Sequence, residues 1–194
     1  MMEVFKDYIS EHTFLSRAEI DRILRVCIKR RLAARQHLLQ EGNVWKWHVF
    51  VTEGCLRTYY LDNDDVEHTV EFAIPGCWTG DRESLVNAKP SAFNIDAIFE
   101  SEVILIGDND YRSLCSGLPS FNSLANNILL KAFRMRQKKV YVAVSHTVTE
   151  KYSIFRDSYP EVADRIPQNM IASYLGITSE HLSRSRTGKY DKKG

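Results

Sequence analysis

Up to about residue 107 the chain is a series of short apolar runs cut by turn residues, whereas from Ser120 to Tyr159 neither glycine nor proline interrupts it. That contrast constrains the fold most. Glycine and proline punctuate strands and stop helices, so a β-rich body has to precede long helices. The strand expectations are 35–40, 47–52, 55–61, 66–74, 93–99 and 102–106. Their separators are Glu41-Gly42-Asn43, Glu53-Gly54, Asp62-Asn63-Asp64-Asp65, and Pro75-Gly76 followed by Gly80-Asp81. Six short strands at this spacing predict a small antiparallel barrel or jelly roll.

Helical spacing flanks this body. Residues 3–31 carry an apolar stripe of Ile20, Ile23, Leu24, Cys27 and Ile28, entered through Ser16 as N-cap with Glu19 three residues on. After Gly107-Asp108 the pattern is helical again. Leu130, Phe133, Gln137, Val140, Val144 and Thr147 recur at alternating spacings of three and four. Such a seam fits one helix packed along another, and it equally fits a helix packed on the barrel. Pro160 and Pro167 bound a shorter segment and announce a new module. The fold class is therefore α+β: N-terminal helices, a small jelly roll, a long helix and a terminal helical module.

The chain has 194 residues, 44% of them hydrophobic, with a mean hydropathy of −0.31 and a net charge of +1. These values describe a globular protein, and no apolar run reaches the length of a membrane span. The N-terminal residues mix acids and bases without an apolar signal core, so the expected location is cytoplasmic. Cys27, Cys55, Cys77 and Cys115 form no C-x-x-C pair, and the six histidines show no ligand spacing. Free thiols and no metal or other cofactor are the expectation. Positive charge is nevertheless concentrated. Residues 166–194 carry +3, from Arg184, Arg186, Lys189, Lys192 and Lys193 against Glu180 and Asp191. Lys131, Arg134, Arg136, Lys138 and Lys139 form a second cluster.

The most informative stretch is 166–186. Residues Gln168 to Leu175 and Ser179 to Arg186 each suit a helix, and Gly176 between them suits a left-handed turn. Thr178 is placed to cap the second helix. Ile171, Ala172, Leu175, Ile177 and Leu182 supply the apolar contacts of two crossed helices, and Ala172 permits close approach. The pattern predicts a helix-turn-helix exposing Ser179, Glu180, Ser183 and Arg184, with an ordinary helical hairpin as the bland alternative.

With these elements the chain resembles the Crp–Fnr superfamily of transcription regulators over nearly its full length. The resemblance is carried by the segment from Ile171 to Arg184, by Gly54-Cys55-Leu56-Arg57 and by Pro75-Gly76-Cys77-Trp78-Thr79-Gly80-Asp81. It implies an effector domain over 1–118, a dimerisation helix over 119–150 and a DNA-binding domain over 151–194. The implied DNA contacts are Thr178, Ser179, Glu180, Ser183, Arg184, Arg186 and Lys189, with Glu180 and Arg184 at base-contacting places. The implied dimer seam is Leu130, Phe133, Val140 and Val144. Partners that follow are duplex DNA, a second copy, RNA polymerase and a small effector of unknown identity. Two departures stand out: Ser179 replaces a frequent arginine, and Ser185 fills a slot usually held by a large apolar residue. Eight residues follow Arg186, so a winged-helix-like module with a truncated wing is expected.

In nucleotide-binding members a short helix after a Gly-Glu pair holds the cyclic phosphate, helped by an arginine. The matching effector residues here are Gly80, Asp81, Arg82, Glu83, Ser84, Ser91 and Ala92, with Asp81 at the glutamate position and Ser91 at the arginine position. A buried phosphate needs a charge partner, so a ligand other than cyclic AMP, or none, is the expectation. Alternatives are a cyclic-nucleotide-responsive regulator and a ligand-sensing dimer without DNA binding. The remaining one is a cupin-like metalloenzyme using His48, Glu53, His68 and Glu71; the last is disfavoured, since no His-x-His pair exists.

Overall fold

The computed structural model describes residues 2–186. Two helices come first, α1 (Met2–His12) and α2 (Arg17–Arg25). Eight strands follow: β1 (Ile28–Leu32), β2 (His37–Leu39), β3 (Trp47–Glu53), β4 (Leu56–Leu61), β5 (Glu67–Ala73), β6 (Trp78–Thr79), β7 (Asn94–Ala97) and β8 (Ser101–Gly107). The short helix α3 (Arg82–Asn87) lies between β6 and β7. The rest is helical: α4 (Asp108–Gly117), α5 (Pro119–Ser145), α6 (Val148–Ser158), α7 (Gln168–Leu175) and α8 (Ser179–Arg186).

The strands form two antiparallel four-stranded sheets, ordered β1-β8-β3-β6 and β2-β7-β4-β5. In β3 and β8 both faces are apolar because each covers a different core. Val49, Val51, Val103 and Leu105 meet the second sheet, while Phe50, Ile104 and Ile106 meet α1, α2, α4 and the start of α5. A third cluster joins Cys55 and Phe72 of the barrel to Phe155, Tyr159, Ile171, Ala172 and Leu182. Burial raises the thiols of Cys27 and Cys55 to about 12.

Ser16 and Glu19 form the expected capping box. The helical expectation over 3–31 overshoots, because Ile28 opens β1 and is half exposed. That strand pairs only with β8, so Lys29, Arg30 and Arg31 lie at a sheet edge, where charge blocks further pairing and hides the strand from an apolar pattern. The two-residue β6 was also not expected.

The long helix ends at Ser145, inside the 119–150 segment, so Thr147 is not part of its seam. Thr147 caps α6 instead: Glu150 N–H donates to its hydroxyl at 3.3 Å, and its own N–H donates to Glu150 at 2.7 Å. The Thr-x-x-Glu signature was present in the sequence and outweighs continuation of the helix. Lys189 and the expected wing lie outside the described residues.

Candidate functional site

The helices α7 and α8 have the predicted bounds. Gly176 closes α7 at φ +67°, a left-handed conformation that costs little without a Cβ. Its N–H donates to Ser173 O at 3.1 Å, and Ile177 N–H donates to Ala172 O at 3.0 Å. These two bonds are the Schellman arrangement, which satisfies carbonyls left over at the helix end. Thr178 then accepts from His181 N–H at 3.2 Å and opens α8.

Burial divides α8 into two faces. Leu182 is fully buried against Ile171, Ala172 and Leu175, whereas Thr178, Ser179, Glu180, Ser183 and Arg184 are exposed. The structure brings these five into one polar face, on which Arg184 pairs with Glu180 one turn away. Ser185 is buried, but its hydroxyl donates to Thr149 Oγ1 of α6 at 3.2 Å. A hydrogen bond therefore anchors α8 in the slot to which the resemblance assigns an apolar side chain.

Along α5 the two halves differ. Phe121, Leu124 and Ala125 are buried on the barrel, but Leu130, Phe133, Val140 and Val144 are 45–82% exposed. The seam residues thus share an unpacked stripe, with Tyr141 beside it at 64%. Among the basic residues of α5, Lys139 is turned inward. Its ammonium donates to Val70 O at 2.7 Å and lies 3.9 Å from the Tyr174 ring centre.

The residues matched to the nucleotide site are partly assembled. Asp81 is the N-cap of α3, and its Oδ1 accepts from Glu83 N–H at 3.0 Å and Ser84 N–H at 3.1 Å. Ser91 donates to Asp81 Oδ2 at 2.7 Å. A carboxylate therefore occupies the amides that would meet a phosphate, and its second oxygen is held by the residue at the expected arginine position. Gly80 passes so close to Trp45 that a Cβ there would lie 2.6 Å from the indole nitrogen. Asp81, Ser84 and Ser91 are buried together, while Arg82, Glu83 and Ala92 are exposed.

Sequence reasoning missed a cleft between β5, β6 and α5, lined by Glu71, Trp78, Arg136, Lys139, Tyr159 and Tyr174. Burial pushes the Glu71 carboxyl above its ordinary range, opposed by Arg136 and Lys139. Burial lowers Lys139 to about 8. No spacing signal could have found this cleft, since it joins strands to a helix sixty residues on. His48 and His68 are not assembled into a metal site: His48 bonds Asp108 at 3.1 Å and stacks on Tyr111, and His68 bonds Asp62 at 2.6 Å.

No protein-family model and no curated protein matches the chain. Solved structures do. FixK2 from Bradyrhizobium japonicum has a TM-score of 0.71 at 18% identity, with 84% of this chain and 84% of that chain covered. The c-di-GMP-responsive global regulator CLP of Xanthomonas campestris has a TM-score of 0.70 at 16% identity, covering 90% and 91%. A regulator of the Crp/Fnr family from Eubacterium rectale has a TM-score of 0.66 at 16% identity, covering 90% and 84%. The chain has the fold of the Crp–Fnr regulators, with its cyclic-nucleotide-binding-like jelly roll. Among the described residues no helix is long and apolar enough to cross a membrane.

Proposed function

We propose that this protein is a DNA-binding transcription regulator that acts as a homodimer. The observation that carries the reading is the α7–α8 pair, whose turn is closed by Gly176, whose second helix buries Leu182, and whose opposite face of Ser179, Glu180, Ser183 and Arg184 is open. A second helix so exposed can enter a major groove while the first crosses the backbone. The contacts assigned are Thr178, Ser179, Glu180, Ser183 and Arg184, with Arg186 and Lys189 as further members. Two such modules must sit about one duplex turn apart, roughly 34 Å, which requires a dimer. The unpacked stripe of Leu130, Phe133, Val140 and Val144 supports a second copy along α5.

The domains assigned are 1–118 for sensing, 119–150 for dimerisation and 151–194 for DNA, with the joint at His146-Thr147, between α5 and α6. An effector other than cyclic AMP, or none, fits the carboxylate already held at the start of α3. Where an effector acts, the cleft beside Glu71 has room and polar groups for it. Catalysis forms no part of this reading. The test is binding of the purified protein to genomic duplex fragments over a range of salt. Phosphate neutralisation gives a log–log slope of about −0.9 for each contact, and a flat response at all salts rejects the reading.

A further inference from the structure

Strand β5 is the last strand of its sheet, so one row of its backbone groups has no strand partner. It also carries a bulge: Thr58 pairs with Glu71 and Tyr59 with Thr69, leaving Val70 unpaired between them. Two side chains from outside the barrel take up these loose groups. Ser173 of α7 accepts from Thr69 N–H at 2.8 Å and donates to Glu67 O at 3.1 Å. Lys139 of α5 donates to Val70 O at 2.7 Å while its ammonium rests on the Tyr174 ring of α7. The first helix of the helix-turn-helix is thereby fastened to the edge of the sensor's own sheet.

The strand so fastened leads directly from an acidic turn. Asp62, Asp64 and Asp65 lie between β4 and β5, and Glu67 follows. Asp62 is engaged by His68, and Glu67 by Arg57. Asp64 and Asp65 are exposed. Asp65 is two residues from the carbonyl that Ser173 holds, which is at most about 7 Å of chain. That is within a Debye length of about 10 Å at 0.1 M salt.

We propose that the β4–β5 hairpin is an autoinhibitory element, clasped to α7 through Ser173 and Lys139 so that its acidic turn sits beside the helix that must approach DNA phosphates. The inference rests on the DNA-binding reading above. In the clasped state duplex meets like charge at the first helix. Opening the clasp loosens the turn from the first helix, while Cys55 and Phe72 of the barrel still pack against α6 and α7. The barrel thus controls DNA affinity through a strand edge, without covering the polar face of α8.

The test uses the full chain, a labelled pool of random-sequence duplexes, and hydrogen exchange read by mass spectrometry. Ser173→Ala changes no charge. It is expected to speed exchange over 67–73 and α7 and to raise duplex affinity about fivefold or more at low salt. Asp64→Asn with Asp65→Asn is expected to raise affinity by a similar factor without altering exchange. Combined, the substitutions should gain less than the product of the two factors, because the turn acts only when clasped. If the wild type binds duplex and Ser173→Ala opens the clasp without raising affinity, autoinhibition is overturned and the DNA reading stands. Unchanged exchange in Ser173→Ala, or gains that multiply in the combined variant, overturns the clasp. If no form binds duplex at any salt, both readings fall.

Discussion

The starts of α3 and α8 pose one problem, the free N–H groups of a first helical turn, and meet it in opposite ways. At α3 the cap is the buried carboxylate of Asp81, pinned by Ser91. At α8 it is the neutral, exposed hydroxyl of Thr178. A carboxylate in place repels a phosphate from the turn, whereas a hydroxyl leaves the positive end of the helix dipole available. The same division extends outward. The barrel also buries Arg57 with Asp96, whereas Glu180 and Arg184 of the C-terminal module pair on the surface. The first turn of α3 is thus capped by a buried carboxylate and that of α8 by an exposed hydroxyl.

The largest effect should come from the barrel. Arg57 is buried and holds Asp96 through two hydrogen bonds of 3.1 and 2.8 Å. Asp96→Ala leaves that guanidinium only its contact with the half-exposed Glu67 and should destabilise the fold by about 3–5 kcal/mol in denaturant titration. A loss below about 1 kcal/mol would mean that Glu67 and water together satisfy Arg57 and the barrel end is not closed. Outside the barrel, Val140 is 65% exposed on the stripe proposed for the second copy. Val140→Asp leaves the protomer folded but sets two carboxylates into a symmetric seam, so sedimentation should show monomer. A mutant that stays dimeric moves the interface elsewhere.

A smaller effect is expected at the α3 start itself. Asp81→Ala removes a cap and should cost about 1–2 kcal/mol. Millimolar cyclic AMP should leave the melting temperature of the wild type unchanged, because a ligand that binds the folded state must stabilise it by mass action. An upward shift in the wild type would show that the Asp81–Ser91 bond opens for a nucleotide.

Legibility followed locality. The α7–α8 pair was readable to the residue because a glycine, a cap and apolar positions at fixed offsets decide it within nineteen residues, Gln168 to Arg186. The Ser16 cap was equally local. Strand β1 was hidden because an edge strand is written in charge, here Lys29-Arg30-Arg31. The break at His146-Thr147 was local too, but the apolar rhythm across Thr147 masked its capping box. That Ser91 stands at the arginine position of the resemblance was legible, but the Asp81–Ser91 bond was not. The close approach of Gly80 to Trp45 beside it is likewise made only by the fold. The fastening of Ser173 to Thr69 joins residues 104 apart, for which no spacing rule exists.

The central claim is that the exposed face of α8 reads base sequence, and Arg184 tests it most directly. Its guanidinium, 55% exposed and paired with Glu180, can exchange that partner for the O6 and N7 edge of a guanine. Such a contact is worth about 1–3 kcal/mol of discrimination. The measurement is a titration of wild type and Arg184→Ala against a duplex selected from the genome and its scrambled counterpart, at several salt concentrations. The expected result is a tenfold or greater loss on the selected duplex, with scrambled binding nearly unchanged. Equal losses on both duplexes would make Arg184 a phosphate clamp and contradict the claim that this face of α8 reads sequence.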